Sequence, residues 1–147
     1  MASAQKPRPT NHFRLIIGGR ESVGQFRECS GLDSEQEIVE QKEVDANGAV
    51  RIVKVPGNLK WSNIELKRGV DVDKKLWEWR HNVELKGPDS ERTDCTLELI
   101  DYDGSPIVTY TIKQAWPSKY TGVAMNAGSN EIAVEGVTIC HEGFERM

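Results

Sequence analysis

Apolar and polar residues alternate along most of this chain, and such a period of two is typical of β-strands with one buried face. In the first segment, Phe13, Leu15 and Ile17 share one face, while His12 and Arg14 lie on the other. The pattern predicts seven or eight strands, over residues 12–18, 23–30, 33–44, 50–55, 61–67, 95–102, 107–116 and 131–141.

One segment follows a helical period instead. Apolar residues recur there at spacings of four, three and four, which places them on one face of a helix: Val72, Leu76, Trp79 and Val83. Asp71 or Asp73 is predicted to cap this helix, because a short carboxylate accepts hydrogen bonds from the first free N–H groups. A single helix among strands is expected to cover the open end of a sheet or barrel.

Glycine and proline predict where the strands end. Asn47-Gly48 predicts a hairpin with a type I′ turn, which needs a positive φ at both central residues. Pro56-Gly57 predicts another turn, and Trp116-Pro117 is expected to end a strand because proline cannot donate to the ladder. The predicted fold is mainly β, an antiparallel β-barrel or two-sheet sandwich with one α-helix. It forms a single domain over 12–147, preceded by a flexible arm over 1–11.

The predicted hairpin over 33–55 is unusual in its polarity. Its first arm is polar, whereas its return arm is apolar on both faces, with Val50 and Ile52 on one and Val53 and Val55 on the other. Two interpretations remain open from the sequence. The return strand is buried between two sheets, or the hairpin protrudes and packs on neighbouring subunits.

Composition and charge restrict the function classes. The formal net charge of −4 argues against a dedicated nucleic-acid binder, which usually has a strongly basic face. Apolar runs are far shorter than the ~20 residues of a membrane-spanning helix, and the first residues lack the apolar core of a signal peptide. Three cysteines without close spacing indicate buried free thiols and a reducing compartment: Cys29, Cys95 and Cys140.

Candidate catalytic and metal-binding patterns are weak. Cys140 and His141 are adjacent, so on a strand they point to opposite faces and cannot share a metal. Glu35 and Glu37 form a paired-carboxylate pattern, but on so polar a strand they indicate a solvated face. No catalytic residue, metal ligand or cofactor is therefore predicted. Two alternatives stay open: a β-sandwich module that binds carbohydrate through its four tryptophans, and a small hydrolase that uses Asp and Glu.

Four blocks, in this order and spacing, resemble the tail tube proteins of contractile bacteriophages and of phage-derived contractile injection systems. They are FRECSGLDSEQE at 26–37, the segment from Pro56-Gly57 through LKRG to LWEW at 56–79, AWPSKYTG at 115–122 and EIAVEGVTICHEGFER at 131–146. The resemblance covers about residues 12–146. It implies a non-enzymatic subunit that forms hexameric rings, and rings that stack into a hollow tube inside a contractile sheath.

The resemblance also implies partners. They are other copies of the chain, the sheath protein, baseplate or tube-initiator proteins, and DNA or protein cargo that passes through the lumen without specific binding. The particle would be assembled in the cytoplasm of the producing cell. A tube-initiating or baseplate-proximal paralogue of the same fold is the alternative within the family.

Candidate assembly residues follow from exposure and two-sided patterning. The subunit or ring interface is expected to include Glu35, Glu37, Gln41, Asn47, Gly48, Val50, Ile52 and Lys54. Contacts with the sheath or the next ring are expected from Trp116, Pro117, Lys119, Glu142 and Arg146. The sequence does not decide which strand face lines the lumen, because strands apolar on both faces leave the register open.

Overall fold

A computed structural model describes residues 12–18, 22–69, 74–122 and 133–147. Within these ranges the chain forms ten strands, one α-helix and a short 3-10 helix at Pro88–Ser90. The helix α1 is Lys75–Lys86. The strands are β1 His12–Ile17, β2 Ser22–Phe26, β3 Glu28–Ser30, β4 Ser34–Val44, β5 Val50–Trp61, β6 Ile64–Gly69, β7 Thr93–Ile100, β8 Pro106–Thr121, β9 Val134–Cys140 and β10 Phe144–Arg146.

Eight strands form one antiparallel sheet whose two ends meet, and we call this sheet the barrel. Their order is β2-β1-β7-β8-β9-β6-β3, and β10 pairs with β8 outside this path. The strands at the two ends, β2 and β3, are consecutive in the chain and separated only by Arg27. The backbone N–H of Arg27 donates to the carbonyl of Lys67 at 3.0 Å, which holds this crossing on β6. The two ends of the sheet therefore meet beside β6, in agreement with the predicted fold, which is mainly β and antiparallel with one helix.

The barrel interior is filled by the apolar faces that the alternation predicts. Leu15 on β1, Leu97 on β7 and Ile139 on β9 are fully buried. Helix α1 adds Leu76 and Trp79 to this core, and its Val83 is buried as well, so the predicted helical face is confirmed for these three residues. Val72, Asp71 and Asp73 lie outside the described residues.

Two strands differ from their predicted course because of local irregularities. The predicted strand 23–30 is split at Arg27, where the chain passes from one end of the sheet to the other. Strand β8 continues past Trp116-Pro117 to Thr121, so the predicted strand end there is wrong. Pro117 fits inside the strand because the pairing with β9 shifts register between Pro117 and Lys119.

A bulge in β8 also changes which face Trp116 occupies. Gln114 has a φ of 51°, and the pairing with β7 shifts there, from Cys95–Ile112 to Thr93–Ala115. The buried positions therefore run Ile112, Ala115, Pro117, and Trp116 does not share the face of Ile112 as the alternation predicts. The strand β10 was not predicted from the sequence, because only three residues form it.

A buried ion pair joins two neighbouring strands of the barrel. Nε of Arg68 on β6 lies 2.6 Å from Oε1 of Glu135 on β9, and both side chains are at most 7% exposed. The hydroxyl of Tyr120 donates to the other oxygen of Glu135 at 2.7 Å. Burial, followed by this hydrogen bond and the charge of Glu135, raises the pKa of Tyr120 to about 12. The carboxylate is therefore bound through both of its oxygens.

Gly31 occupies a position that no other residue fits. Its φ is +89°, and a Cβ there would lie 1.9 Å from the carbonyl oxygen of Asn63. Gly104 has nearly the same φ, +87°, but a Cβ there would meet nothing within 4 Å. Gly31→Ala is expected to lower the free energy of unfolding by ~1–3 kcal/mol more than Gly104→Ala, since only the first adds a backbone clash to the strain. Urea unfolding of both variants measures the difference, and equal losses would contradict the close approach.

Candidate assembly interface

Strands β4 and β5 form a separate two-stranded sheet that protrudes from the barrel. They pair with each other and with no other described strand. Every residue of β4 is exposed. Eleven residues at ~3.3 Å each make an arm of roughly 35 Å. The structure thus favours the protruding hairpin over a strand buried between two sheets.

The tip of the hairpin is closed by the side chain of Asp45. Its Oδ1 accepts hydrogen bonds from the backbone N–H groups of Asn47 and Ala49, both at 2.9 Å. The N–H of Gly48 donates to the carbonyl of Asp45 at 3.0 Å. Gly48 has a φ of 80°, whereas Asn47 has a negative φ. The turn is therefore at the predicted place, but it is an Asp-capped loop and not type I′.

One face of the hairpin alternates apolar and charged residues that are all exposed. Cross-strand pairs on this face join Val44 to Val50, Lys42 to Ile52, Glu40 to Lys54 and Ile38 to Pro56. The four large aliphatic side chains are 59–68% exposed: Ile38, Val44, Val50 and Ile52. We call this surface the even face, because all its residues have even numbers.

The opposite face, which we call the odd face, is also partly apolar. Val39 pairs with Val55, and Gln41 with Val53. Strand β5 has a bulge at Gly57 and Asn58, because these two residues lie opposite Glu37 alone, where the pairing shifts register. Glu37 binds Lys60 at 2.5 Å, which raises the pKa of that lysine, mainly through the hydrogen bond. Pro56-Gly57 lies within β5 at this bulge, so the predicted turn there is wrong.

The root of the hairpin is fixed to the end of the chain by aromatic residues. Trp61, the last residue of β5, contacts the ring of Phe144 edge-on, with centroids 5.0 Å apart. Phe144 also contacts Tyr110, and the ring of His141 lies 6.2 Å from Trp61. Nε2 of His141 is 2.8 Å from the carbonyl oxygen of Ser62. The hairpin is thus anchored at one end and open along its length.

The structure places all eight predicted interface residues on this one hairpin, and all are exposed. Four exposed aliphatic residues that were not predicted from the sequence extend the same surfaces: Ile38, Val39, Val44 and Leu59. A signal for the first two was present, because Ile38 and Val39 are adjacent in a polar strand and so place one apolar residue on each face.

The residues predicted to contact the sheath or the next ring do not all lie together. Arg92 places its guanidinium 5.9 Å from the ring of Trp116 and 3.4 Å from Oε1 of Glu142, so these two residues share a surface. Lys119 lies further along β8, and Arg146 pairs with Tyr110 on β10. The Pro117 side chain is fully buried and is not available for contact. For the other four residues, contact with the sheath or the next ring stays a prediction.

In the described residues, no three His, Cys, Asp or Glu side chains come together as a metal site requires. The cysteines are free thiols, and burial raises the pKa of both Cys29 and Cys95 to about 12, which keeps these thiols unreactive. The described part of the chain contains no helix long and apolar enough to span a membrane.

Nearly the whole chain matches one protein family. Residues 9–145 match the family described as T4-like virus tail tube protein gp19. No curated protein matches the chain in sequence.

Several solved structures share its fold. A chain in the cryo-EM structure of the anti-feeding prophage cap, a tube-terminating cap, is 30% identical, with a TM-score of 0.79 and coverage of 100% of this chain and 95% of that one. A chain in the extended sheath–tube complex of PVC, an extracellular contractile injection system, is 28% identical, with a TM-score of 0.78 and coverage of 96% and 91%. A chain in the six-fold symmetrised anti-feeding prophage baseplate is 16% identical, with a TM-score of 0.74 and coverage of 100% and 97%, and shares the fold.

Proposed function

The chain belongs to the T4-like virus tail tube protein family, and we propose that six copies of it close into a ring and that these rings stack into the hollow inner tube of a contractile particle. Tail tube proteins are structural, and this chain is accordingly a tube protein of a contractile injection system or phage tail and not an enzyme. The ring, its stacking and its lumen are the proposal.

The exposed hairpin is the observation that carries this proposal. A lone two-stranded hairpin is marginally stable in water, yet this one is roughly 35 Å long and exposes aliphatic side chains on both faces. It therefore needs a partner on each face. A ring provides such partners, because a head-to-tail interface that closes on itself presents the same hairpin to each neighbour in turn. Stacked rings add a second set of neighbours.

The number of copies in the ring and the role as main tube subunit are supported by different solved structures. A chain in the six-fold symmetrised baseplate shares the fold of this chain, so the fold is compatible with six-fold closure. Identity is higher with the chain from the sheath–tube complex, at 28%, than with the baseplate chain, at 16%. This difference favours the main tube subunit over a baseplate-proximal paralogue.

The sheath and the cargo complete the proposal. A sheath protein would surround the tube, and baseplate or initiator proteins would nucleate it. DNA or protein would pass through the lumen without specific binding, and assembly would take place in the cytoplasm of the producing cell. Residues 12–147 would act as one tube domain, with 1–11 as an arm.

Native mass spectrometry of the purified protein tests the ring. Six copies of a 16.5 kDa chain give a species of about 99 kDa, and we expect this species to dominate at micromolar concentration. A chain that stays monomeric up to millimolar concentration, and that does not co-assemble with a sheath protein of a contractile particle, would contradict the proposal.

A further inference from the structure

His141 bridges the root of the hairpin and the last strand through both nitrogens of its ring. Nδ1 lies 3.1 Å from the backbone nitrogen of Gly143, and Nε2 lies 2.8 Å from the carbonyl oxygen of Ser62. An amide N–H only donates and a carbonyl only accepts. The two contacts therefore require one state of the ring, the neutral tautomer with its proton on Nε2.

This bridge lies at the root of the hairpin, where a change in it can alter the position of the hairpin. Ser62 directly follows β5, and Gly143 directly precedes β10. Gly143 has a φ of +141°, and a Cβ there would lie 3.2 Å from the ring of Trp61. The bond from Gly143 to His141 therefore lies where Gly143 packs directly against Trp61 at the hairpin root.

We propose that the bridge from Ser62 through His141 to Gly143, which we call the clasp, holds the assembly hairpin in position. Acid would break the clasp by protonating His141, which would let the hairpin move relative to the barrel and oppose assembly. This inference rests on the proposed role of the hairpin in tube formation. Histidine is the side chain that changes charge between pH 5 and 8. Protonation places a hydrogen on Nδ1, which then faces the N–H of Gly143 donor to donor, and the clasp loses that bond.

The charged side chains near the clasp form ion pairs with one another. Glu142, the next residue, pairs with Arg92 at 3.4 Å. Lys113 on β8 bonds through its backbone to both Glu142 and Gly143, while its Nζ pairs with Glu145 at 3.0 Å. On the side of β5, His141 faces the indole of Trp61 and the backbone of Ser62, neither of which is charged. A proton on the ring would thus add a charge beside two aromatic rings, those of Trp61 and Phe144.

Hydrogen exchange at the Gly143 amide tests the clasp in the monomer. The full chain is measured below its assembly concentration at pH 7.5 and 5.5, and rates are corrected for the intrinsic effect of pH. We expect protection to fall about tenfold or more at pH 5.5 in the wild type. His141→Asn keeps an acceptor near the place of Nδ1 and does not titrate, so its protection is expected to stay constant. Equal losses in both proteins, or no loss in the wild type, would overturn the proposal.

Assembly provides the second readout. The concentration needed for tube formation is expected to rise about tenfold or more between pH 7.5 and 5.5 in the wild type, and less than threefold in His141→Asn. His81→Asn, on helix α1 away from the hairpin root, is the matched control and should keep the wild-type pH dependence. If the wild type forms no tubes at either pH, with or without the sheath and initiator proteins, the proposed function fails, while the exchange experiment still decides the clasp.

Discussion

Ile52→Glu is expected to abolish tube formation and to leave the subunit folded. Ile52 is 59% exposed on the even face of the hairpin, where its cross-strand partner is Lys42. A glutamate opposite a lysine is compatible with the hairpin, because opposite charges across strands are favourable. At a subunit contact, however, the change removes a buried aliphatic side chain worth ~1.5–3 kcal/mol and adds a charge. That loss weakens each contact about ten- to hundredfold, and it recurs at every contact of the ring.

Leu85→Glu is the matched control for this variant. Leu85 is 68% exposed on helix α1, so the change in size and charge is the same but the hairpin is untouched. Electron microscopy should show tubes for Leu85→Glu and none for Ile52→Glu, with thermal unfolding of both variants within a few degrees of the wild type. Normal tubes from Ile52→Glu would remove the even face from the assembly interface.

Glu135→Ala is expected to destabilise the subunit by about 3–5 kcal/mol, which is the usual cost of removing one member of a buried ion pair. The Arg68 side chain is buried and its Nε loses the carboxylate at 2.6 Å, while the hydroxyl of Tyr120 loses its acceptor. For a chain of this length the midpoint of thermal unfolding should fall by about 10 °C. Urea unfolding of the monomer gives the free energy directly.

Two further variants identify burial of charge as the cause. Glu145→Ala breaks the Lys113–Glu145 pair, whose side chains are 52% and 66% exposed, and should cost less than ~1 kcal/mol. Arg68→Met combined with Glu135→Leu removes both charges and should recover more than half of the loss. If the double variant is as unstable as Glu135→Ala, packing and not the buried charge explains the effect.

Local patterns in the sequence predict the parts of this fold that depend on neighbouring residues. The face formed by Leu76, Trp79 and Val83 follows from helical spacing alone, and all three are buried. The place of the hairpin turn at Asn47-Gly48 follows from a dipeptide, and the apolar residues on both faces of Val50 to Val55 follow from the alternation there. These features need no knowledge of which strands pair.

Features set by long-range pairing were not predictable. The bulge at Gln114 moves Trp116 off the face of Ile112, and nothing in the alternation marks it. Pro117 stays within β8 because a register shift against β9 accommodates it. The clasp at the hairpin root joins Ser62 to residues about 80 positions later, His141 and Gly143, through contacts that no local period records.

Negative-stain electron microscopy of the concentrated wild-type protein decides whether this chain builds a tube. We expect six-fold rings with a central hole, and hollow tubes of stacked rings at higher concentration or when the sheath and initiator proteins are present. Particles that remain compact monomers under all these conditions would contradict it, because the exposed hairpin would then have no partner copy.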